Sequence, residues 1–376
     1  MTGSAANAPL WESGGWRPYA PLRGAREADV CVVGLGGSGL SAVIELRALG
    51  RKVIAVDGGS VAGGAAGRNG GFMLAGTAAF YHDARASLGA ERARRLYQLT
   101  RDGLAAEVAA AGPAARRVGS LRIAADDSEL EDCEAQFAAM REDGLPVERY
   151  AGPEGRGLLF PEDAAFDPLA RCRRLAQRAV AAGAELYEGS PALSVSGSRV
   201  VTPDGEVACG AVVVAVDGRL GALLPELRGE VRDVRLQMLG TAPTRELRLP
   251  RPVYRRYGFE YYQQDPAGRL ALGGFRDLGG AAEWTADGTP TTPVQELLER
   301  FLRDELRVAA PITHRWAATV SYVAGVLPVA RRLRGDVWVI GAYNGTGNVV
   351  GAVLGRAAAR RAAGLGSEAW DAFGGR

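Results

Sequence analysis

The stretch Val30–Gly71 reads VCVVGLGGSGLSAVIELRALGRKVIAVDGGSVAGGAAGRNGG. It opens with an apolar run, Val30–Val33, of the kind that forms a buried parallel strand. Gly34, Gly36 and Gly39 then give the spacing G-x-G-x-x-G at the start of a helical pattern. In this spacing the first glycine permits a tight turn, the second admits a pyrophosphate, and the third lets the helix pack on the strand. The sequence therefore predicts a strand–turn–helix unit that binds a dinucleotide.

The residues after this turn continue the same pattern. Leu40 and Val43 begin a helical apolar stripe, and a second apolar run, Val53–Val56, ends at Asp57. An acid at this place accepts hydrogen bonds from an adenosine ribose and disfavours a 2′-phosphate, because two anions would face each other. FAD and NAD both remain open on these residues. The candidate cofactor-binding residues of this unit are Gly34, Gly36, Gly37, Ser38, Gly39 and Asp57.

Four further stretches resemble one family. The segment Gly67–Gly71 (GRNGG) resembles the second flavin-contacting segment of the D-amino-acid-oxidase-like (DAO) superfamily of FAD-dependent oxidoreductases. Tyr261–Asp277, Trp316–Pro328 and Gly341–Gly355 match the order of motifs in that superfamily. The segment before the first strand, with Leu22–Gly24 shortly before Ala28-Asp29-Val30, is most similar to the gamma-glutamylputrescine oxidase and glycine oxidase branch. The resemblance covers roughly residues 9–364 and is much more specific for the superfamily than for a substrate.

The resemblance implies FAD as the cofactor and assigns further residues to it. Relatives that bind the flavin covalently attach it near Arg68 or Trp316, where this sequence offers no suitable Cys or His. We therefore expect FAD to be bound noncovalently. The further cofactor-binding residues that the resemblance implies are Gly67, Arg68, Asn69, Gly70, Gly71, Ala192, Gly345, Thr346, Gly347 and Asn348.

The predicted fold class is α/β, with a Rossmann-like FAD-binding domain and an inserted substrate domain built on a mainly antiparallel sheet. Apolar runs at Ala211–Val216 and Val337–Ile340 predict further buried strands of the FAD-binding domain. The domain boundaries that we expect are an N-terminal arm at 1–26, an FAD-binding domain at 27–112, 163–224 and 316–376, and a substrate domain at 113–162 and 225–315.

Periodicity predicts the helices of both domains. Gly103 lies inside the first predicted helix, Ser87–Ala111, and argues against an unbroken helix there. Trp11 and Trp16 are expected to pack the N-terminal arm against the body of the protein. The predicted helices are Ser87–Ala111, Ser128–Asp143, Leu169–Ala182, Pro293–Glu305 and Val349–Ala363.

Composition excludes several classes of protein. The net charge is +2, from 45 basic and 43 acidic residues, which gives no electrostatic case for binding nucleic acid. The four cysteines are scattered without histidine neighbours, so neither a metal site nor a disulfide framework is predicted. The N-terminal residues lack the pattern of a signal peptide, and no apolar run is long enough to span a bilayer. These features predict a cytoplasmic protein that does not enter a membrane.

Aromatic residues crowd into the segment Val253–Tyr262, in the predicted substrate domain. Strand alternation would place Tyr257, Phe259 and Tyr261 on one face and Tyr262 on the other. That face is either an aromatic wall over the flavin, which accepts an amine by apolar and cation–π contacts, or a packed sheet face. The candidate catalytic residues are Tyr261, Tyr257 and Arg276.

Two absences bear on substrate and electron acceptor. Glycine-oxidase-like relatives hold the substrate carboxylate with an arginine at the position that is Val320 here, so a carboxylate clamp is missing unless Arg255, Arg256 or Arg276 replaces it. Sarcosine-oxidase-like relatives place a lysine over the flavin to assist reaction with oxygen. Lys52, the only lysine, lies before the second nucleotide-domain strand and does not match that position.

The resemblance and the residues together predict an FAD-dependent enzyme that oxidises the C–N bond of a small amine or amino-acid derivative to an imine. Oxygen is the expected acceptor of the electrons, and a dehydrogenase that uses another acceptor is the alternative. A tRNA-modifying relative and a noncatalytic FAD-binding subunit are further alternatives. Balanced charge argues against the first of these two.

Overall fold

The computed structural model describes residues 7–375, and strands and helices alternate over most of that length. The strands, in chain order, are β1 (Gly24–Val33), β2 (Val53–Val56), β3 (Phe72–Met73), β4 (Ala115–Arg117), β5 (Ser120–Ile123), β6 (Glu148–Gly152), β7 (Gly155–Phe160), β8 (Ala164–Phe166), β9 (Glu185–Tyr187), β10 (Ser194–Ser196), β11 (Arg199–Val201), β12 (Gly205–Val214), β13 (Val231–Thr241), β14 (Val253–Arg255), β15 (Glu260–Gln264), β16 (Leu270–Gly274), β17 (Ile312–Val323), β18 (Val329–Leu333) and β19 (Val337–Gly341). The helices are α1 (Gly37–Ala48), α2 (Tyr81–Leu88), α3 (Ala90–Ala111), α4 (Asp127–Glu142), α5 (Pro168–Ala181), α6 (Leu220–Leu223), α7 (Thr292–Arg300), α8 (Val350–Ala362) and α9 (Glu368–Ala372).

A parallel sheet forms the first part of the fold. Its strands lie in the order β9-β2-β1-β12-β19, and β18 adds an antiparallel edge beside β19. In chain order this is 3-2-1-4-5, the arrangement of doubly wound nucleotide-binding folds. The last four residues of β1 and all of β2 are buried, as their apolar runs predict. The Rossmann-like part of the predicted fold class is therefore present.

Small residues let the helices approach closely on this sheet. A Cβ atom at Gly39 would stand 1.9 Å from the carbonyl oxygen of Gly34, so α1 packs on β1 only with glycine there. A Cβ atom at Gly355 of α8 would stand 2.2 Å from the carbonyl oxygen of Ser38. The start of α1 is thus held between the end of β1 and α8.

A second, mainly antiparallel sheet forms the other part of the fold. Its strands lie in the order β17-β13-β16-β15-β14-β5-β7-β6, and only the β5–β14 pair is parallel. One face carries a hydrophobic core with α7 that includes Leu121, Val253, Tyr262 and Leu272. The opposite face, which carries Arg122, Tyr254 and Tyr261 in adjacent register, is turned towards the parallel sheet. A small sheet of β3, β8 and β4 lies at the chain crossings between the two parts.

The predicted strand Val253–Tyr262 is interrupted in its middle, so the alternation of side-chain direction expected along it is wrong there. The strand breaks into β14 and β15 at a tight turn, where Arg256 and Tyr257 both have positive φ angles of 52° and 56°. Tyr257 is 45% exposed there, and its hydroxyl group hydrogen-bonds to Asp132 at 3.0 Å. Tyr257 therefore does not share a strand face with Tyr261, whereas Tyr262 lies on the opposite face as predicted.

The expected boundary at residue 316 also falls inside a strand. Strand β17 pairs with β13 from Ile312 to Val323, so residues 316–323 belong to the antiparallel sheet. The segment contains no turn residues, and the family motif that begins at Trp316 does not coincide with a change of sheet. The helix expected at Ser87–Ala111 is α3 (Ala90–Ala111), and the separate helix α2 (Tyr81–Leu88) before it was not predicted. Helix α3 continues through Gly103, whose missing side chain makes room for Val353.

The N-terminal arm lies against the body, and its residues 1–6 are outside the described part. Trp11 is buried and donates its indole N–H to the carbonyl oxygen of Asn69 at 2.8 Å. Trp16 donates to the buried carboxylate of Glu188 at 3.1 Å. The prediction that these tryptophans pack the arm is confirmed. Within residues 7–375, no helix has the length and hydrophobicity to cross a membrane.

Candidate active site

The first glycine-rich turn has the geometry of an anion site. Gly34 has φ +111°, and a Cβ atom there would stand 2.7 Å from the carbonyl oxygen of Ala215. Gly36 is the N-cap of α1 and has no side chain to cap the helix. The first N–H groups of α1 therefore remain free to donate to a ligand. Gly34, Gly36, Gly37 and Ser38 line one elongated cavity. Helix-terminal N–H groups and the helix dipole favour a phosphate at this place.

Asp57 closes the far end of that cavity. Its carboxylate accepts hydrogen bonds from the backbone N–H groups of Leu35 at 2.7 Å and Gly59 at 2.8 Å. Burial raises the pKa of Asp57, although these two hydrogen bonds oppose the shift. Ala192 lies beside Asp57 because the N–H of Ser190 donates to the carbonyl oxygen of Asp57 at 2.7 Å. The acid and the backbone predicted for ribose and adenine are therefore brought together.

The Gly67–Gly71 loop is held by side chains from distant parts of the chain. Trp316 donates to the carbonyl oxygen of Arg68 at 2.8 Å, and Gln263 donates to that of Gly71 at 3.0 Å. The Arg68 guanidinium group donates to the carbonyl oxygen of Ala317 at 2.9 Å, and burial lowers its pKa. These contacts hold the loop where the two sheets meet.

The second glycine-rich turn, Gly345–Asn348, faces the same loop. Asn348 lies opposite Asn69, and Gly345 has φ +90° beside the hydroxyl group of Tyr322. The hydroxyl group of Thr346 donates a hydrogen bond to the carbonyl oxygen of Tyr343 at 2.8 Å. Gly347, like Gly345 and Asn348, lines the elongated cavity. The turn thus reaches that cavity mainly through its backbone.

Two cavities meet between the two parts of the fold. The elongated FAD-site cavity has a volume of about 730 Å³ and runs from Asp57 and Ala192 to the Gly345–Asn348 turn. The second, here called the substrate cavity, has a volume of about 360 Å³ and lies on the antiparallel sheet. Residues common to both are Ala65, Arg68, Asn69, Ala318, Val320, Gly345 and Asn348. A ligand in the substrate cavity would therefore contact one end of a ligand in the FAD-site cavity.

Three predicted cofactor residues line neither cavity and act through packing. Gly39 supports the approach of α1, as described above. A Cβ atom at Gly67 would stand 2.4 Å from the carbonyl oxygen of Ala62. Gly71 has φ +77°, and a Cβ atom there would stand 2.3 Å from the carbonyl oxygen of Phe166. Gly70 and Thr346 line the substrate cavity, and the other predicted cofactor residues line the FAD-site cavity.

A buried ion triad stands behind the first glycine-rich turn. Glu107 binds Arg171, and it also binds Arg356 at 2.6 Å. Burial alone would raise the pKa of Glu107, but the two guanidinium groups hold it below its ordinary value. Arg171 lines the FAD-site cavity, and its guanidinium group would stand 2.6 Å from a Cβ atom at Gly37. The triad carries one net positive charge beside the place predicted for the pyrophosphate.

The substrate cavity has an aromatic wall. Tyr261 lies over Gly273 and packs against Phe72 and Tyr254, with ring centroids 6.2 and 6.0 Å away. Tyr322 lies beside the Gly345 turn at the other end of the sheet. Burial raises the pKa of Tyr254 and Tyr261, so both phenols are neutral hydrogen-bond donors. Tyr257 stands at the rim of this cavity, bound to Asp132.

The arginines considered for a carboxylate clamp separate into two groups. Arg255 pairs with Glu260 and Glu305 and lines a different cavity, while Arg256 pairs with Glu260 and Asp277. Arg276 lines the substrate cavity and lies over the ring of Tyr322 at 4.8 Å. Within residues 7–375 no carboxylate oxygen lies within 4.0 Å of Arg276, in contrast to Arg255 and Arg256. Arg276 alone of these three is therefore placed to meet a substrate.

Sequence reasoning missed several residues of the site. Arg122, Asp163, Tyr254 and Tyr322 line the substrate cavity, and Arg171 lines the FAD-site cavity. One signal was available for Arg171. It occupies an inward position of α5, next to the apolar residues Leu169, Cys172 and Leu175 on a strongly amphipathic helix. An arginine on the buried face of a helix indicates a buried ionic partner or ligand.

The residues present fit FAD. A free helix N-terminus, a positive-φ glycine turn, a net positive triad and a terminal acid follow one another along a single elongated cavity. Neither cavity is lined by a Cys or His among the described residues. Val320 lines both cavities with an apolar side chain, and Lys52 lies on the surface at the start of β2.

Fold and site define an FAD-dependent oxidoreductase. The model of the DAO family, described as FAD dependent oxidoreductase, matches residues 29–361, and the chain belongs to this family. The predicted family and cofactor are thereby confirmed.

Individual relatives align over nearly the whole chain. Probable oxidoreductase OrdL of Rhizobium meliloti (strain 1021) is 26% identical over 94% of this chain and 87% of that protein. The gamma-glutamylputrescine oxidoreductase of Escherichia coli (strain K12) is 25% identical over 95% of this chain and 88% of that protein. The crystal structure of glycine oxidase from Geobacillus kaustophilus superposes with a TM-score of 0.73, at 20% identity, over 91% of this chain and 96% of that chain.

Proposed function

We propose that the protein oxidises the C–N bond of a small amine or amino-acid derivative to an imine. Bound FAD would supply the redox chemistry by accepting a hydride from the carbon beside the amine nitrogen. The observation that carries the proposal is the junction of the two cavities at Arg68, Asn69, Gly345 and Asn348. A substrate on the aromatic wall would meet the cofactor there and nowhere else along its length.

The residues of the substrate cavity favour the reactive form of an amine. Arg68 and Arg276 place positive charge on the cavity wall, and a bound ammonium group would be repelled by both. An amine that binds neutral keeps its lone pair, so the imine can form without a dedicated strong base. Tyr254, Tyr261 and Tyr322 present aromatic surface and hydroxyl groups that orient the carbon chain and the nitrogen.

The aromatic wall also keeps bulk water away from the reacting carbon. Phe72 packs edge-on against Tyr254 and Tyr261, with ring centroids 4.8 and 6.2 Å apart. A dry cavity prolongs the life of the bound imine. After release, water hydrolyses the imine to a carbonyl compound and ammonia, or to a carbonyl compound and an amine where the substrate is a secondary amine. The noncovalent mode of FAD binding is part of this proposal, and it rests on the absence of Cys and His from the described cavity walls.

Oxygen is the acceptor that we propose for the electrons. Arg68 and Arg276 stand on the cavity wall where positive charge would favour electron transfer to oxygen. One observation favours the alternative of a dehydrogenase with another acceptor. The only lysine, Lys52, is exposed at the start of β2 and lines neither cavity, so no lysine assists the reaction.

Anaerobic bleaching of the flavin tests the proposal. The purified holoenzyme is mixed with a panel of primary amines, secondary amines and amino acids, and the loss of flavin absorption is followed by stopped flow. We expect at least one amine class to bleach the flavin, and peroxide to appear when air is admitted. A flavin that dithionite reduces but that no compound of the panel reduces would contradict the proposed reaction. Bleaching without peroxide would identify the dehydrogenase.

A further inference from the structure

The polar residues at one end of the substrate cavity have no role in the proposed reaction. Tyr322, beside the Gly345 turn, lies on β17, and Arg122 lies on β5, five places away in the sheet order. At about 4.8 Å per strand, Arg122 on β5 lies two strands, or about 10 Å, from Tyr261 on β15 along the sheet. We call the Arg122 end the far wall. Its polar residues are Ser120, Arg122, Gln136 and Asp163.

Arg122 is held in place without an ionic partner. Its guanidinium group donates to the side-chain carbonyl oxygen of Gln136 at 2.9 Å and lies 4.0 Å from the centre of the Phe80 ring. Within residues 7–375 no carboxylate oxygen stands within 4.0 Å of it, whereas the buried arginines Arg171 and Arg235 are each ion-paired. Strand alternation turns Arg122 to the cavity, because its neighbours Leu121 and Ile123 lie in the core behind the sheet. Its remaining N–H donors therefore face the cavity.

Two nearby acids do not fully neutralise this charge. The carboxylate of Glu129 accepts hydrogen bonds from the backbone N–H groups of Ala125 at 2.8 Å and Tyr257 at 2.6 Å, and the acid of the far wall is Asp163. Asp163 accepts hydrogen bonds from the Ser120 hydroxyl group at 2.6 Å and from the backbone N–H of Ala75 at 3.1 Å. Burial raises the pKa of Asp163 to about 7, although these hydrogen bonds oppose the shift. Its carboxyl group is thus partly protonated near pH 7. Arg122 is half-buried, and a cation withdrawn from water in this way is costly without a full counter-charge, unless a ligand supplies one.

We propose that Arg122 binds a carboxylate at the end of the substrate remote from the carbon that is oxidised. The substrate class is then an amine that carries a carboxylate several bonds away from the reacting C–N bond. This inference rests on the proposed function, which places the reacting carbon where the two cavities meet. It also agrees with Val320, whose apolar side chain offers no clamp for a carboxylate next to that carbon, so that of the positions weighed for such a clamp only Arg276 could hold one.

The geometry of an arginine suits this role. A guanidinium group binds a carboxylate by two parallel hydrogen bonds, and such charged bonds are shorter and stronger than neutral ones. The contact with Phe80 and the bond to Gln136 orient the planar group before the ligand arrives, which lowers the entropy lost on binding. The aromatic residues Tyr254 and Tyr261 lie on the sheet between the far wall and the junction, where an apolar linker would pass.

Matched substrates test the proposal. Butylamine and 4-aminobutanoate, pentylamine and 5-aminopentanoate, and hexylamine and 6-aminohexanoate are compared in anaerobic flavin bleaching with the holoenzyme. We expect the carboxylate member of at least one pair to have a lower dissociation constant, by about ten- to a hundred-fold. The preference should be lost in Arg122→Met and partly retained in Arg122→Lys. The matched control Arg255→Met removes an arginine of the same sheet that lines another cavity, and it should keep the preference.

A second measurement separates this inference from the proposed reaction. Hexanoate and hexanamide are titrated into the holoenzymes, and binding is followed by the change in flavin absorption, which requires no turnover. Tighter binding of hexanoate that disappears in Arg122→Met would support the site even if no amine bleached the flavin, an outcome that would overturn only the reaction. Equal binding of hexanoate and hexanamide, together with no carboxylate preference in any amine pair, would overturn the site. If Arg122→Met does not retain FAD, Arg122→Lys and the wild-type pairs decide in the same way.

Discussion

The side-chain amides of Asn69 and Asn348 bind each other reciprocally, each donating to the carbonyl oxygen of the other at 3.1 Å. The two residues are 279 positions apart in the chain and belong to the two turns that meet where the two cavities join. Asn348 also donates to the carbonyl oxygen of Phe72 at 2.8 Å, and Asn69 accepts from the N–H of Gly71 at 2.9 Å. One pair of amides thus sets the relative position of both turns.

Replacing either asparagine should loosen both turns. We expect Asn348→Ala to lower the free energy of unfolding by about 1–3 kcal/mol, because the hydrogen bonds of Asn348 with Asn69 and with the carbonyl oxygen of Phe72 are lost. FAD should bind more weakly in the same variant. Urea unfolding of Asn69→Ala, Asn348→Ala and the double variant gives the coupling energy, for which we expect about 0.5–3 kcal/mol. Strictly additive effects would show that the pair does not act as a unit.

Gly36→Val should abolish FAD retention. Gly36 has φ −83°, so valine fits the backbone, but its side chain would occupy the approach of the pyrophosphate and crowd Ala66, whose Cβ is 3.2 Å from the new Cβ. The absorbance ratio of flavin to protein after purification measures the effect. Gly366→Val is the matched control, because a Cβ atom there meets nothing within 4 Å. A folded, fully yellow Gly36→Val protein would refute the assignment of this turn.

Arg171→Met should weaken FAD binding by about ten- to a hundred-fold in dissociation constant, since it removes a charged group that faces the pyrophosphate site. Arg356→Met is the control. It breaks the same buried triad at Glu107, but Arg356 does not line the FAD-site cavity, so stability should fall with a smaller change in FAD affinity. Flavin fluorescence titration measures both constants. Equal affinities of the two variants for FAD would assign Arg171 to packing alone.

Arg276→Met should slow the reaction of the reduced enzyme with oxygen. Two unit charges about 4 Å apart interact by about 4 kcal/mol at an effective dielectric constant near 20, and half of this corresponds to more than ten-fold in rate. Stopped-flow mixing of the photoreduced enzyme with oxygenated buffer gives the rate. Arg232→Met is the control, because Arg232 and Arg276 both lie over the ring of Trp284, at 4.0 and 5.8 Å, but Arg232 does not line the substrate cavity. The same rate in both variants would remove Arg276 from this role.

Asp163 should make stability depend on pH in an unusual direction. Its pKa is raised to about 7 in the folded protein, above its ordinary value of 3.8, so the folded state holds the proton more tightly than the unfolded state. The contribution of Asp163 to the free energy of unfolding is fully present below pH 4 and is lost as the pH rises through 7. The free energy of unfolding falls by at most ~1.4 kcal/mol per pH unit over this range. Asp163→Asn keeps a donor for Ser120 and an acceptor for Ala75 and removes the titration. Urea unfolding between pH 5 and pH 8 should therefore decline less in this variant, and parallel curves would contradict the prediction.

Local patterns in the sequence determined the nucleotide-binding unit. The apolar runs Val30–Val33 and Val53–Val56, the glycine spacing between them and the final Asp57 act within some thirty residues, so steric and hydrogen-bonding rules that apply to neighbours are sufficient. The same holds for the five predicted helices, whose bounds lie within a few residues of the observed ones, whereas the short helix α2 was not predicted. Periodicity reports which face of an element is buried, and it did so correctly for Tyr262.

The tertiary structure decided what local patterns do not encode. The break at Arg256–Gly258 places two large side chains at positive φ before a glycine. Gly258 is a local turn signal, but it does not predict the positive φ of Arg256 and Tyr257, which contacts such as that of Tyr257 with Asp132 sustain. Arg171 meets Glu107 across 64 residues, and Asn69 meets Asn348 across 279. Arg122 and Asp163 reach one cavity because β5 pairs with β14 and because Ser120 binds Asp163. Long-range strand pairing and helix packing bring these residues together, and neither can be read from the neighbours of a residue in the chain.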